Sequence, residues 1–249
     1  MIPYVRQSKI YDYIKIRTIV YLDELVEFTK VSMPTVRRDL KVLQDEGKII
    51  LLNGGGVKVS EVVDHSVVGR LEVNAEEKFI ICAKAAQYVE PNDFIYLGPG
   101  TTENYLISFL AGKNVTVVTN GIFHVNKLIE HSIKTILIGG QMDNNLGITY
   151  GAEVYDKINK MNFTSCFIGA SGVSEKCVSS FDNYTAVINE KVMERSAKKI
   201  LMVDSTKINN VSHYVFGEIK DFDHIITTDK AVIHFTNIEN FVIADKFDI

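Results

Sequence analysis

Five clusters of Gly, Ser, Thr, Asn and Asp stand in the middle and C-terminal parts of the sequence, each just behind a short apolar run. They are Gly98-Pro99-Gly100-Thr101-Thr102, Thr119-Asn120-Gly121, Gly139-Gly140, Gly169-Ala170-Ser171-Gly172 and Asp204-Ser205-Thr206-Lys207. These residue types suit an anion. Glycines let backbone N–H groups come close to a ligand, Ser and Thr hydroxyls donate hydrogen bonds, and a helix starting after Thr102 adds its dipole. The set predicts a small polar pocket fitted to a phosphate ester, with Gly98, Gly100, Thr101, Thr102, Thr119, Asn120, Gly139, Gly140, Gly169, Ser171 and Gly172 around it. Lys207 and Lys191 are the candidate charge partners, against the alternative that each is a solvated surface lysine. Asp204 reads either as a partner for ligand hydroxyls or as the cap of the turn behind it.

A second chemically capable group lies near the N-terminus: Ser32, Pro34, Thr35, Arg37, Arg38 and Lys41. Val36, Leu40 and Leu43 fall at i, i+4 and i+7, which predicts a helix from 33 to about 46 with one buried stripe. Pro34, Arg38 and Lys41 then lie on the opposite face, flanked by Thr35 and Arg37. Guanidinium groups near a helix N-terminus can enter a major groove, touch phosphates and pair bidentately with guanine. The competing reading is the solvated face of an ordinary helical hairpin.

The elements that must position these residues follow from spacing. Ile10, Tyr13, Ile14 and Ile16 have helical spacing, and a second short helix spans 22–28. Thr29 and Lys30 interrupt it, Ser32 is a good N-cap for the next helix, and Pro34 is tolerated in the first turn. Gly47 ends that helix, and 49–52 and 57–59 read as strands around Gly54-Gly55-Gly56. Residues 1–60 therefore read as a winged helix-turn-helix domain, and 61–74, which lack a clear period, as a linker. Asn74 and Glu77 have the spacing of a capping box.

From 75 to 249 apolar runs at 94–97, 115–118, 135–138, 166–168, 200–203 and 224–227 alternate with amphipathic segments at 103–110, 123–129, 152–161 and 187–198. That alternation predicts an α/β, Rossmann-like domain with a mostly parallel sheet, whose ligands bind beyond the carboxyl ends of the strands.

Composition narrows the class. With 249 residues, 46% hydrophobic and 23% charged, the chain can bury a sizeable core. Residues 1–60 carry 10 Lys and Arg against 7 Asp and Glu, and the remainder 17 against 24, so a basic head sits on an acidic body. Any polyanion contact is expected in the head. The sequence lacks an apolar run near the ~20 residues of a membrane span and an N-terminal signal-peptide pattern. Cys82, Cys166 and Cys177 are odd in number and far apart, and the six histidines show no ligand spacing. The expectation is a cytoplasmic protein without metal or cofactor.

The run Val31-Ser32-Met33-Pro34-Thr35-Val36-Arg37-Arg38-Asp39-Leu40, followed by Leu43, Gly47 and Gly54-Gly55, closely resembles the DNA-binding head of the DeoR family of bacterial transcriptional regulators. Arg70, Glu77-Lys78 and the five loop clusters, in order, are similar to that family's sensor domain, a fold shared with ribose-phosphate isomerases. The resemblance implies a repressor of a carbohydrate operon, bound to double-stranded operator DNA and released by a phosphorylated sugar. Two-fold symmetric operators would make it an even-numbered homo-oligomer, a dimer or tetramer. The chain departs from the family at Leu51 and Asn53, where Arg and His are common before the wing glycines, and near Ala186, where an acidic residue is often found. The family's Asp-x-Ser-Lys strand end is Asp204-Ser205-Thr206-Lys207 here. The rival reading is a phosphosugar isomerase-like enzyme; Asp204 is the one strand-end carboxylate the spacing supplies as a base, and the expectation is no catalytic residue.

Overall fold

In the computed structural model, residues 2–15, 17, 19–45, 48–52, 54–59, 67–235 and 239–246 are described. Two compact units form, Met1–His65 and Ser66–Ile249. The head contains α1 (Pro3–Lys15), β1 (Val20–Tyr21), α2 (Leu22–Thr29), α3 (Met33–Asp45), β2 (Ile49–Leu51) and β3 (Gly56–Val59). Ile10 and Ile14 of α1, Leu25 of α2, and Val36, Leu40 and Leu43 of α3 meet with Val20, Ile49 and Val57 in one core. The α2 helix ends on Lys30, which is left-handed (φ 56°) and donates its N–H to the Val26 carbonyl. Thr29 belongs to α2 rather than to the break, because its hydroxyl donates to Leu25 O at 2.6 Å.

The hairpin of β2 and β3 gains an unanticipated third strand: Val20 pairs with Val57, giving the order β1-β3-β2. Gly54 and Gly55 have φ of 92° and 82°, which side chains rarely tolerate. Ile16, Glu46, Gly47 and Asn53 lie outside the described residues.

The body continues with α4 (Val67–Arg70), α5 (Ala75–Ala85), β4 (Phe94–Leu97), α6 (Thr101–Leu110), β5 (Thr116–Thr119), α7 (Val125–Glu130), β6 (Lys134–Leu137), β7 (Gln141–Asp143), β8 (Ile148–Tyr150) and α8 (Ala152–Asn159). Then come β9 (Phe163–Ile168), β10 (Gly172–Val173), β11 (Val178–Ser180), α9 (Asn183–Glu194), β12 (Ser196–Met202), β13 (Tyr214–Gly217), β14 (His224–Thr228) and β15 (Phe241–Ala244). The main sheet is parallel, in the order β15-β14-β12-β9-β4-β5-β6. Two apolar layers cover its faces, as continuous apolar strands require. Beyond the six expected strands, β15 extends the sheet, and β7-β8 and β10-β11-β13 form small antiparallel sheets.

Three local expectations are corrected. Helix α9 begins at Asn183, four residues before 187, because Asp182 caps it by accepting the Thr185 N–H at 2.7 Å; β12 takes over from Ser196. The capping box at α5 does not form: Asn74 is left-handed and makes no side-chain cap. Its Nδ2 donates to Asp204 Oδ1 at 2.9 Å, and Glu77 turns to Ser205 and Thr228. Within the stretch read as linker, 67–70 is helical, with Val67 buried and its N–H donating to Asn145 O at 2.9 Å.

Candidate functional site

In the head, α3 packs its stripe of Val36, Leu40 and Leu43 inward together with Asp39. Asp39 accepts Arg6 Nε at 2.5 Å, another Arg6 guanidinium nitrogen at 3.1 Å and Gln7 Nε2 at 3.1 Å, so a buried ion pair ties α1 to α3. Pro34, Arg37, Arg38 and Lys41 are exposed, and Thr35 is half-buried. Ser32 is exposed as well; its carbonyl accepts the N–H groups of Thr35 and Val36, and its hydroxyl lies 2.9 Å from Thr35 Oγ1. All six residues expected to touch DNA thus share one short stretch of surface. Leu51 at the wing is exposed.

In the body, the strand order decides where a ligand can sit. From β4 the chain runs outward through β5 to β6, and from β9 outward through β12, β14 and β15. The β4/β9 boundary is the switch point, where the loops beyond the strands diverge and leave a crevice. A cleft open to solvent lies there. The β4–α6 loop contributes Gly100 and the first turn of α6 contributes Thr101, Thr102 and Glu103; the segment after β9 contributes Gly169 and Ser171, and that after β12 contributes Asp204 and Lys207. Arg70 and Lys78 enter from α4 and α5, and Phe181, Asp182, Thr185 and Asn189 from α9 and the turn before it.

Seven expected residues therefore meet: Gly100, Thr101, Thr102, Gly169, Ser171, Asp204 and Lys207. The others do not line the cleft. Asn120 is fully buried, accepting Tyr96 Oη at 2.7 Å and donating to Thr149 O at 2.8 Å, and Thr119 Oγ1 accepts the Gly121 N–H. Thr119 ends β5 and Asn120 follows it, one strand from the switch point. Gly139 and Gly140 follow β6, two strands away; Gly140 is small because a Cβ there would meet Tyr150 O at 2.6 Å. Gly172 packs against Asn210 O in the same way. Lys191 is two residues beyond Asn189, so it points away around the helix, and it sits 3.7 Å from Glu194.

Glu103 changes the reading of the glycines. Glu103 is 2% exposed, and the backbone N–H groups of Gly169 and of Glu103 itself favour its charged form. A Cβ on Gly98, Gly100 or Gly169 would collide with it or crowd it. The three glycines thus cradle an internal carboxyl group, and Gly98 lies beneath the cleft. Burial pushes the Glu103 carboxyl up to about 7, partly offset by those amides and by Arg70 and Lys78.

The cations are similarly constrained. Lys78 is 3% exposed and donates to Arg70 O at 2.7 Å and Thr101 Oγ1 at 2.9 Å. Burial lowers its ammonium to about 8 despite Asp204 nearby. Asp204 is buried; its Oδ1 collects Asn74 Nδ2 and both the N–H and the hydroxyl of Thr206. Asp204 therefore caps the turn behind it, and it also lines the cleft. Glu77, behind it, accepts the N–H and hydroxyl of Ser205 at 3.0 Å each and Thr228 Oγ1 at 2.7 Å. Spacing missed Glu103, Lys78, Arg70, Asp182, Thr185 and Asn189 as cleft residues. Helix face alone could have grouped the last three.

Among the described residues no group of three or more His, Cys, Asp or Glu is placed to hold a metal ion, and no helix is long and apolar enough to cross a membrane.

Comparison with known proteins agrees with both units. The DeoR-like helix-turn-helix domain matches residues 6–62, and the DeoR C terminal sensor domain matches 73–229. The chain is 31% identical over 237 residues to the uncharacterized HTH-type transcriptional regulator FruR of Bacillus subtilis (strain 168), covering 94% of each chain. It is 28% identical to the lactose phosphotransferase system repressor of Lactococcus lactis subsp. lactis, covering 90% of this chain and 91% of that one. Among solved structures, D-ribose-5-phosphate isomerase in complex with phospho-erythronic acid has a partial likeness, at TM-score 0.42 and 19% identity over 55% of this chain and 56% of that one. With an exposed basic helix in its head, a polar cleft at the switch point of its body and both family domains matched in order, this chain belongs to the DeoR family of DNA-binding transcriptional regulators.

Proposed function

We propose that the protein represses a carbohydrate operon and leaves its operator when a phosphorylated sugar binds the body cleft. Repressor action is carried over from relatives such as the lactose phosphotransferase system repressor. The observation that supports the ligand class is the convergence of Thr101, Lys78 and Lys207 beside the α6 N-terminus. A dianion there gains charge-assisted hydrogen bonds, each contributing about 1.5–3 kcal/mol, and the helix dipole. Glu103 already occupies part of that N-terminus, so the phosphate sits on the Thr101 and Lys78 side. The α3 surface of Arg37, Arg38 and Lys41 meets the operator, in an even-numbered homo-oligomer located in the cytoplasm. Release requires that the sugar bind the non-operator arrangement more tightly.

Calorimetry with phosphorylated and unphosphorylated forms of the same sugars tests this reading. Only the phosphorylated form should bind tightly, and Thr101→Val with Lys207→Ala should abolish the preference; equal affinities would sink it.

A second reading has a specific residue in its favour. Beside Asp204 and Asp182, Glu103 is a further carboxyl group in the cleft, poised near neutrality, as a general base for isomerisation would be. The regulator reading expects no turnover of pentose or hexose phosphates, and steady isomerisation lost in Glu103→Gln or Asp204→Asn would establish the enzyme instead.

A further inference from the structure

Helix α9 presents a polar face to the cleft that the phosphate reading leaves unused. Asp182, its N-cap, is followed by Thr185 and Asn189 at spacings of three and four, and all three line the cleft. Ile188 and Val192 on the same helix are buried in the core. Asn189 is 1% exposed. Its Nδ2 donates to Gly169 O over a long 3.4 Å, which orients the carboxamide, and its Oδ1 is buried without a hydrogen-bond partner. Buried acceptors are almost always paired, and this one belongs to a residue that lines the cleft.

Resting on the phosphate reading above, we propose that Asp182, Thr185 and Asn189 form the subsite for the hydroxyl-bearing carbon chain of the phosphorylated sugar, with a ligand hydroxyl donating to Asn189 Oδ1. The cleft is divided in chemistry. Around Thr101 it offers cations and a helix N-terminus. Along α9 it offers a carboxylate and a carboxamide oxygen, which only accept, and one hydroxyl, which does both. A phosphomonoester needs the first kind of partner and a polyol the second. Phe181 stands at the start of the α9 face, with the Arg70 guanidinium 5.4 Å from its ring centroid. A site built to accept from a hydroxyl discriminates strongly against an analogue that lacks it.

The test is titration calorimetry on the full chain with inorganic phosphate, five- and six-carbon aldose and ketose monophosphates, and monodeoxy analogues of whichever binds best. Asn189→Leu and Asn189→Ala should each weaken that sugar phosphate at least tenfold and leave inorganic phosphate within twofold of wild type. Without ligand, Asn189→Leu should melt no lower than wild type, since the unpaired acceptor is gone. One monodeoxy analogue should lose a similar factor on wild type and bind Asn189→Leu as well as its parent does. Variants that fold and keep full affinity for the sugar phosphate overturn the subsite. So does a wild type that binds every monodeoxy analogue as tightly as the parent, a result that needs no variant. Failure of the phosphate reading looks different: no sugar phosphate outcompetes its unphosphorylated sugar on wild type, which removes both.

Discussion

The head and the body assemble their contact residues in opposite ways. In the head, Ser32 to Lys41 supply the whole candidate surface, because one helix buries Val36, Asp39, Leu40 and Leu43 and so must expose Arg37, Arg38 and Lys41. In the body, residues from Arg70 to Lys207 meet only because β4, β9 and β12 are neighbours in a sheet whose order is not the chain order. A convex site on one helix is fixed by periodicity and one packing stripe. A cleft is fixed by topology, and its members carry a double duty: Asp204 and Lys78 hold the fold together where they also line the cleft.

Asp39→Ala should have the largest effect. It removes the carboxylate that accepts three hydrogen bonds from Arg6 and Gln7 and should cost the head about 3 kcal/mol or more. Calorimetric melting should show the head transition drop while the body transition stays; a single transition moving as one would mean the two units are not independent. Next, Arg37→Ala and Arg38→Ala should each weaken operator binding by about 1–3 kcal/mol without changing the circular dichroism. A base contact gives a loss confined to the specific site, whereas a phosphate contact gives a uniform loss and a shallower salt slope. Full operator affinity in the double variant would take α3 out of its role.

On the body side, Gly100→Ala drives a methyl group into the Glu103 carboxyl and should cost about 1–3 kcal/mol. Most of that cost should vanish in a Glu103→Ala background, by a double-mutant cycle; an undiminished cost would mean that the glycine serves something other than Glu103. The smallest effect is on pH dependence. Because the native Glu103 carboxyl titrates at about 7, above its ordinary range, the native state holds a proton that the unfolded chain has lost between roughly pH 4.5 and 7. Stability from this group is full below that window and falls as pH rises through it, by at most about 1.4 kcal/mol per pH unit. Glu103→Gln should flatten the slope; the same slope in wild type and variant would assign it to another group.

The asymmetry between the units also explains what the sequence could disclose. The i, i+4, i+7 stripe was enough to place Pro34, Arg37, Arg38 and Lys41 on the exposed face of α3, and strand-end glycines were enough to locate the cleft's edge of the sheet. Which strand ends form the cleft was not legible, because spacing contains no strand order: Thr119, Asn120, Gly139 and Gly140 look like Gly169 and Ser171 in one dimension. Glycine itself was ambiguous, since it makes room equally for a ligand, for the Tyr150 carbonyl or for the Glu103 carboxyl. Buried ionisable groups were overlooked because Glu103 and Lys78 occupy positions on amphipathic helices where a charged residue normally faces water.

The first turn of α5 has a mechanical meaning. Asn74 grips Asp204, Glu77 grips Ser205 and Thr228, and Lys78 grips Thr101 and the Arg70 carbonyl. One turn of helix thus works as a clip on three separate segments of the body, at the ends of β4, β12 and β14. A group that draws Lys78 away from Thr101 and the Arg70 carbonyl opens one of its three jaws, while Asn74 and Glu77 keep the other two shut.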